Sequence, residues 1–204
     1  RSWMISRCRR PRKPQRKRKP SASWRLPRLT SASKLKTAVH VVRMSASRWK
    51  PKPARKLNVS VTKPVPLLLN MSFTANSNAV NDPGIKPGEI WNRDKKRVPA
   101  PRDGRFGSLK VLPFLEAGFG IATFYYGDVD PDFLGGVPYG VRALYLKPGQ
   151  TEPAPNEWGA IAAWAWGASR ALDYLETDKG VDAKRVAITG ISRLGKTVMW
   201  AGAH

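Results

Sequence analysis

Residues 186–196 read VAITGISRLGK, and they give the clearest indication of the fold. Its first four residues are apolar or β-branched and predict a short buried strand, while residues 197–203 read as a helix. Ser192 stands between the two elements, and Gly190 precedes it by two positions. A serine in a sharp turn between a buried strand and a helix is typical of a nucleophile elbow, so the stretch predicts an α/β fold.

The elbow gives Ser192 an environment suited to nucleophilic catalysis. The tight turn forces the serine into a strained backbone conformation, which the small residue Gly190 lets the strand and helix accommodate. The hydroxyl then stands at the carboxyl end of the sheet, where open α/β folds bind ligands, next to helix amides that can receive an oxyanion. The common motif is G-x-S-x-G, whereas the second glycine here is Gly195. The spacing alone therefore also fits a glycine-rich turn with a capping serine.

The segments before the elbow predict the rest of a sheet. Residues 65–73 and 119–126 read as two more buried strands, and the stretch between them, residues 76–107, as a loop rich in Asn, Pro and Gly. A long helix is predicted from Asn156 to about Thr177, with Gly180 as its C-terminal glycine. The order strand, strand, helix, strand, turn, helix predicts a mainly parallel sheet.

Charge divides the chain into two parts. Residues 1–63 hold 21 of the 37 Lys and Arg residues and no acidic residue, because the first carboxylate is Asp82. We expect residues 1–56 to be a basic leader that is disordered or not native to the domain, and residues 57–204 to be the domain. The basic leader also supports an alternative of another class, a non-catalytic protein that binds nucleic acid or another polyanion.

Composition excludes several kinds of site. Cys8 is the single cysteine, which excludes an internal disulfide and a multi-cysteine zinc site. Asp128, Asp130 and Asp132 resemble the start of a calcium loop, but positions 133 and 139 lack the Gly and Glu that such a loop requires, so we expect a structural role. No apolar run approaches the roughly 20 residues of a membrane helix. The sequence thus predicts no metal and no membrane contact.

The predicted long helix carries three tryptophans, Trp158, Trp164 and Trp166. They allow two interpretations, a sugar-stacking surface or core residues against the sheet. Because a helix that faces a sheet buries its large aromatic side chains, the core interpretation is favoured.

Residues 190–204, GISRLGKTVMWAGAH, resemble the G-x-S-R-x-G-K elbow of carbohydrate esterase family 15, the glucuronoyl esterases. Residues 64–70, 125–132 and 158–164 are similar to that family as well, so the resemblance extends over residues 57–204. It implies an α/β-hydrolase without a cofactor, secreted or periplasmic, that cleaves the ester between a glucuronic acid carboxyl group on xylan and a lignin alcohol. Within the enzyme class, the alternative is an acetyl xylan esterase of similar fold.

The resemblance also implies roles for three residues. Ser192 corresponds to the nucleophile, Arg193 to the arginine that holds the oxyanion with its amide and guanidinium, and Lys196 to the lysine that contacts sugar hydroxyls. These roles agree with the chemistry of the side chains, since a guanidinium fixed at a developing oxyanion is electrostatic preorganisation. Lys196 follows Ser192 by one helical turn, which places both on one face.

A serine hydrolase of this fold also needs an acid and then a histidine after the serine. Only 12 residues follow Ser192; none is a carboxylate, and their one histidine, His204, would lie about 18 Å along the helix axis. His40, in the basic leader, is no better candidate. We therefore expect a sheet that stops before its final strands, no turnover by these 204 residues alone, and poor solubility caused by an uncovered sheet edge.

Overall fold

The structure, a computed structural model of the chain, describes residues 40–42, 63–80, 82, 85–102, 104 and 106–203. The described elements follow one another along the chain as β1 (His40–Val42), β2 (Val65–Ser72), α1 (Asn76–Ala79), β3 (Glu89–Trp91), β4 (Arg97–Pro99), α2 (Leu112–Glu116), β5 (Gly120–Tyr125), α3 (Ala160–Glu176), β6 (Val181–Thr189) and α4 (Arg193–Ala203). Three short 3₁₀ helices lie between β5 and α3, at Tyr126–Asp128, Val137–Tyr139 and Val141–Tyr145.

Four of the strands form one sheet in the order β1-β5-β2-β6. Strand β2 lies parallel to both β5 and β6, while β1 runs antiparallel to β5. Because β2, β5 and β6 all run in the same direction, their carboxyl ends lie at one common edge of the sheet. The mainly parallel sheet with helices that the sequence predicts is confirmed.

Both faces of the sheet are covered, as the apolar character of β2 requires. Leu67, Leu69 and Met71 pack into the larger core, together with the fully buried Trp164 of α3 and Leu194 of α4. The alternate side chains of the same strands face a smaller core, in which Leu68 of β2 packs against five buried residues, Ala79, Val80, Ile85, Val111 and Ile121. The sheet is therefore held between two apolar layers, which fixes the positions of its strand ends.

The beginning of α3 differs from the prediction. The helix starts at Ala160 with Gly159 as its N-cap, so the expected cap at Asn156 is wrong. The reason lies in Glu157, whose carboxylate accepts hydrogen bonds from the Ala154 amide (2.8 Å) and from Lys147 Nζ (2.8 Å) and so belongs to the preceding loop.

The end of α3 also differs. The helix ends at Glu176 with Thr177 as its C-cap, so Gly180 is not its C-terminal glycine. Gly180 instead precedes β6 directly, where its amide donates to Asp178 Oδ1 (2.9 Å) and its carbonyl accepts from the Val65 amide (3.1 Å).

Two further regions contain more regular structure than predicted. Strand β6 begins at Val181, so it includes residues 182–185, of which three are charged, and Val181 already pairs with Val65 of β2. Charged side chains are tolerated there because residues 182–185 lie at a register shift between the pairs Val65–Val181 and Leu67–Val186, on an edge strand of the sheet that the structure describes. The predicted loop of residues 76–107 contains α1 and an antiparallel hairpin of β3 and β4.

The basic leader is described only at residues 40–42, which form β1. These three residues differ from the disordered segment expected there. The remainder of the leader up to residue 56, with the polyanion-binding surface expected on it, lies outside the described residues, so the boundary at residue 56 stays a prediction. Among the helices that the structure describes, none has the length and apolar character required to cross a bilayer.

Candidate active site

The backbone of Ser192 is strained in the way that the sequence predicts. Its φ is 57°, and among the described non-glycine residues only Lys95 shares such a positive value. A non-glycine residue in this region costs on the order of 1–3 kcal/mol, which the surrounding structure must offset. The residue is solvent-exposed at the end of β6, so its hydroxyl is accessible.

Two glycines allow the sharp turn at Ser192. A Cβ atom on Gly190 would lie 2.8 Å from the carbonyl carbon of Leu194, and one on Gly195 would lie 3.2 Å from the Gly190 carbonyl oxygen. The strand end and the first helical turn therefore touch through their backbones. Leu194 occupies the remaining position of the turn and is fully buried in the larger core. This packing explains why the second glycine stands at 195 and a leucine at 194.

Helix α4 begins directly after the serine. The Lys196 amide donates to the Ser192 carbonyl (3.2 Å), and Thr197 Oγ1 donates to the Arg193 carbonyl (3.0 Å). The first amides of a helix have no acceptor within the helix, so the Arg193 amide is available to a ligand beside Ser192. Lys196 is exposed one turn later, and its ammonium forms no ion pair with any residue that the structure describes.

The guanidinium of Arg193 is held from two sides. Its Nη1 donates to Oδ2 of Asp132 in a close ion pair, and its Cζ lies 5.3 Å from the ring centroid of Phe73. An aromatic face attracts a guanidinium, and an ion pair with a carboxylate fixes its direction. Phe73 directly follows β2 and Asp132 follows β5 by seven positions, so both reach the edge where β6 delivers Ser192.

Beneath Phe73 the rings continue into the core. Phe73 packs edge-on against Tyr126 at 5.5 Å between centroids, and Tyr126 packs edge-on against Trp164 at 5.0 Å. Burial raises the pKa of Tyr126 above that of an ordinary phenol, so its hydroxyl stays neutral. Sequence reasoning does not find Phe73 or Tyr126 as part of the site. Their positions could have indicated a place in the site, because each directly follows a parallel strand.

The three aspartates pair with three different arginines. Asp128 lies 2.7 Å from Arg97 Nη2, Asp130 lies 2.8 Å from Arg142 Nη2, and Asp132 pairs with Arg193 as described. The Asp130 side chain is fully buried. Burial raises the pKa of Asp130, and the hydrogen bonds from Arg142 oppose that rise. The pairing fits the structural role expected of these aspartates. No group of three or more His, Cys, Asp or Glu in the described part of the chain is arranged to hold a metal ion.

The three tryptophans in and just before α3 differ in burial and in the residues that they contact. Trp164 is 1% exposed and belongs to the larger core, as the core interpretation predicts. Trp158 is half-buried and packs edge-on against Tyr145 at 4.9 Å, while Trp166 is half-buried with Arg170 Cζ at 5.9 Å from its ring centroid. All three thus contact the larger core, while Trp158 and Trp166 keep part of their surface exposed.

The structure thus brings Ser192, Arg193 and Lys196 together on one turn of backbone and adds Asp132 and Phe73 to them. Their catalytic and binding roles stay predictions. His204 lies outside the described residues, and residues 193–203 contain no carboxylate and no histidine.

One family model and several known proteins match parts of this sequence. A family model described as "Glucuronyl esterase, fungi" matches residues 153–204, the part of the chain that contains α3, β6 and α4. "Carbohydrate esterase MZ0003" from an unknown prokaryotic organism is 42% identical over 148 residues, which are 68% of this chain and 34% of that protein. The "4-O-methyl-glucuronoyl methylesterase" of Podospora anserina is 35% identical over 117 residues, 56% of this chain and 23% of that protein.

Solved structures agree with the sequence comparison. A glucuronoyl esterase from Solibacter usitatus superposes with a TM-score of 0.67 at 52% identity, covering 72% of this chain and 38% of that one. A promiscuous CE15 esterase from a marine bacterial metagenome gives a TM-score of 0.56 at 40% identity, covering 70% and 38%. The chain thus spans about a third or less of the length of the curated relatives above, 34% and 23%.

Proposed function

From the premise that this chain belongs to carbohydrate esterase family 15, we propose that it carries the nucleophile of a serine esterase for glucuronoyl esters. The substrate class is the ester between the carboxyl group of a 4-O-methyl-glucuronic acid on xylan and an alcohol of lignin. The observation that carries the proposal is the elbow: a strained, exposed Ser192 followed at once by an arginine whose guanidinium is held by Asp132 and Phe73.

The chemistry follows acyl transfer. Ser192 Oγ attacks the ester carbonyl carbon while a general base takes its proton, and a tetrahedral intermediate forms. The negative oxygen of that intermediate receives the amide and the guanidinium of Arg193. The bond to the alcohol then breaks, the alcohol leaves with the proton, and water releases the uronic acid from Ser192. We propose a histidine oriented by an acid as the general base; residues 193–203 contain neither.

Lys196 suits the sugar side of such a substrate. Its ammonium is exposed one helical turn from Ser192 and is not engaged by a carboxylate of the described residues. A lysine ammonium donates hydrogen bonds to hydroxyl oxygens, which a glucuronoyl ester carries on the acyl side of its ester bond, whereas the acyl group of an acetyl ester carries none. This difference favours a glucuronoyl ester over an acetyl ester on xylan. We also propose a secreted or periplasmic protein, because its polymeric substrate lies outside cells.

The test compares two substrates on the complete gene product. Wild-type protein is incubated with benzyl glucuronate and, separately, with acetylated xylan, and the released alcohol or acetate is measured. We expect turnover of the glucuronate ester, with a kcat/KM at least tenfold higher than for acetylated xylan. Release of acetate alone would replace the proposal with an acetyl xylan esterase, and hydrolysis of neither would reject esterase activity on xylan.

A further inference from the structure

We propose that Asp132 is a positioning residue of the active site, which together with Phe73 fixes the Arg193 guanidinium for oxyanion stabilisation. That the guanidinium stabilises an oxyanion rests on the proposed esterase function. That the guanidinium is fixed in position rests only on its contacts with Asp132 and Phe73. Asp132 touches Arg193 and acts through it.

The first support is that Arg193 would otherwise be mobile. Its side chain is 52% exposed, and an exposed arginine samples many rotamers in water. The carboxylate of Asp132 defines the direction of the guanidinium, while the ring of Phe73 defines the face on which it lies. Two contacts of different kinds therefore restrict the same group.

The second support is that Asp132 itself is fixed. Two positions earlier in the chain, the fully buried Asp130 binds Arg142 through Nε (3.0 Å), Nη2 (2.8 Å) and the backbone amide (3.3 Å). Trp164 Nε1 donates to the Asp130 carbonyl oxygen (2.7 Å). Gly140 lies so close that a Cβ atom on it would collide with the Asp130 carboxylate. The loop after β5 is thus anchored next to the residue that binds Arg193.

The contacts form a closed path around the site. It runs from the Trp164 indole through the Asp130 loop to Asp132 and Arg193, and it returns through the rings of Phe73 and Tyr126 to Trp164. Asp130 and Asp132 are joined by the backbone, every other step is a side-chain contact, and the buried Trp164 lies at both ends of the path. A path of this kind holds a catalytic group with less motion than a single surface ion pair does.

The rate of an Asp132 variant distinguishes two explanations, because charge repulsion and orientation of the guanidinium predict rate changes in opposite directions. The Asp132 carboxylate is negative and repels a developing oxyanion, so its neutralisation alone would speed the reaction. If orientation of the guanidinium dominates instead, loss of Asp132 slows it. Misplacement of a reacting group by about 1 Å can reduce the rate about 100-fold, so we expect orientation to dominate.

The experiment uses the complete gene product and the substrate benzyl glucuronate. We expect Asp132→Asn to lower kcat about 10- to 100-fold with KM changed less than about twofold, because the interaction with the oxyanion exists in the transition state. Asp132→Glu should restore part of kcat, and Phe73→Leu should lower kcat in the same manner. The matched control is Asp182→Asn, since Asp182 pairs with Arg185 on β6 at similar exposure (28% against 24% for Asp132).

Several kinetic results would overturn the inference. They are an unchanged or higher kcat in Asp132→Asn, an equal loss in Asp182→Asn, a change in KM alone, or no recovery in Asp132→Glu. Thermal unfolding midpoints are compared in parallel. Because an exposed ion pair contributes little stability, a loss of kcat without a fall in the midpoint excludes a merely structural role.

A second measurement keeps this test separate from the esterase proposal. The Arg193 Nε–Hε signal is followed by ¹⁵N relaxation in wild-type and Asp132→Asn protein, and Arg193→Lys assigns the signal. If the wild type hydrolyses no glucuronate ester, the proposed function fails, and relaxation alone decides the positioning of Arg193. A restricted guanidinium that becomes mobile in Asp132→Asn supports it, and equal mobility in both proteins overturns it.

Discussion

Gly190 shows how a single residue determines the active-site turn. A Cβ atom there would lie 2.8 Å from the backbone of Leu194, so the strand end and the helix would have to separate. We expect Gly190→Ala to lower the free energy of unfolding by about 1–3 kcal/mol and to displace Ser192. Urea unfolding measures the first effect.

Gly202 provides the matched control for that change. It lies in α4, and a Cβ atom on it would point into open space. We expect Gly202→Ala to raise helix stability by up to about 1 kcal/mol, because alanine is the better helix former. If both variants lose stability equally, the close approach of backbones at Gly190 is not what the turn depends on.

Lys196 is the residue whose variant separates binding from chemistry. It stands one turn after Ser192, and its proposed partners are sugar hydroxyls that stay unchanged during the reaction. We expect Lys196→Ala to raise KM for a glucuronate ester about 10-fold with kcat changed little, since it removes a contact made equally in ground and transition states. Michaelis profiles of the complete gene product measure both constants. A loss in kcat alone would place Lys196 in the chemical step.

Among the elements, the loop before α3 is stabilised by one carboxylate. Glu157 accepts hydrogen bonds from Lys147, the Ala154 amide and Gln150. These bonds, chiefly the one from Lys147, hold the pKa of Glu157 below the ordinary value of about 4.3 for glutamate. A lowered pKa in the folded state means that Glu157 contributes stability above the unfolded-state pKa. That contribution is lost as the pH falls through the lowered value.

NMR titration of the Glu157 side chain tests this account. We expect its pKa to lie below the ordinary value in wild type and to rise toward it in Lys147→Met. Glu152→Gln is the control, because Glu152 is an exposed neighbour and its replacement leaves these hydrogen bonds in place. A Glu157 pKa that does not respond to Lys147→Met would show that this ion pair does not anchor the loop.

The 3₁₀ region that follows β5 depends on a buried ion pair. Asp130 is fully buried and Arg142 is 14% exposed, so removal of the carboxylate leaves a charge with little access to water. We expect Asp130→Ala to cost about 3–5 kcal/mol of unfolding free energy in urea titrations. Asp173→Ala removes an exposed partner of Arg170 and should cost less than about 1 kcal/mol. Equal costs would contradict the burial argument.

The sequence predicts those helices, strands and turns whose structure is determined by their own residues. The apolar runs of β2 and β5 and the turn at Gly190 determine their own structure, so their bounds agree with the prediction within a few residues. The expected N-cap at Asn156 is wrong because Glu157 binds residues of the loop, a contact that no helix pattern contains. The strand assignment of residues 182–185 is not predicted, because they lie at a register shift between the pairs Val65–Val181 and Leu67–Val186, and such an irregularity tolerates residues of low strand propensity.

The candidate site is predictable in part for the same reason. Ser192, Arg193 and Lys196 stand within one motif, whereas Asp132 and Phe73 meet Arg193 across 61 and 120 positions of sequence. Such contacts arise from strand order, and the order β5-β2-β6 cannot be read from periodicity. What can be read is that the residues after parallel strands gather at one edge.

For the molecule as a whole, uncovered apolar surface should govern the behaviour of residues 1–204 in solution. Within the described residues β6 pairs with β2 alone, and Ile191, Met199 and Trp200 are 77%, 78% and 49% exposed. An open strand edge and exposed large apolar side chains promote association. We expect these 204 residues expressed alone to sediment as oligomers or aggregates, and Met199→Lys to reduce this. A monodisperse monomer in analytical ultracentrifugation would contradict the expectation.

The role of Ser192 as nucleophile is decided by hydrolysis of a methyl or benzyl glucuronate ester, measured for the complete gene product and for its Ser192→Ala variant. If Ser192 is the nucleophile, the wild type turns over the ester and the variant loses activity by a factor of at least about 1,000 while its unfolding midpoint stays the same. Turnover that persists in Ser192→Ala, or a wild-type protein that is inactive on every glucuronate ester, would contradict the claim.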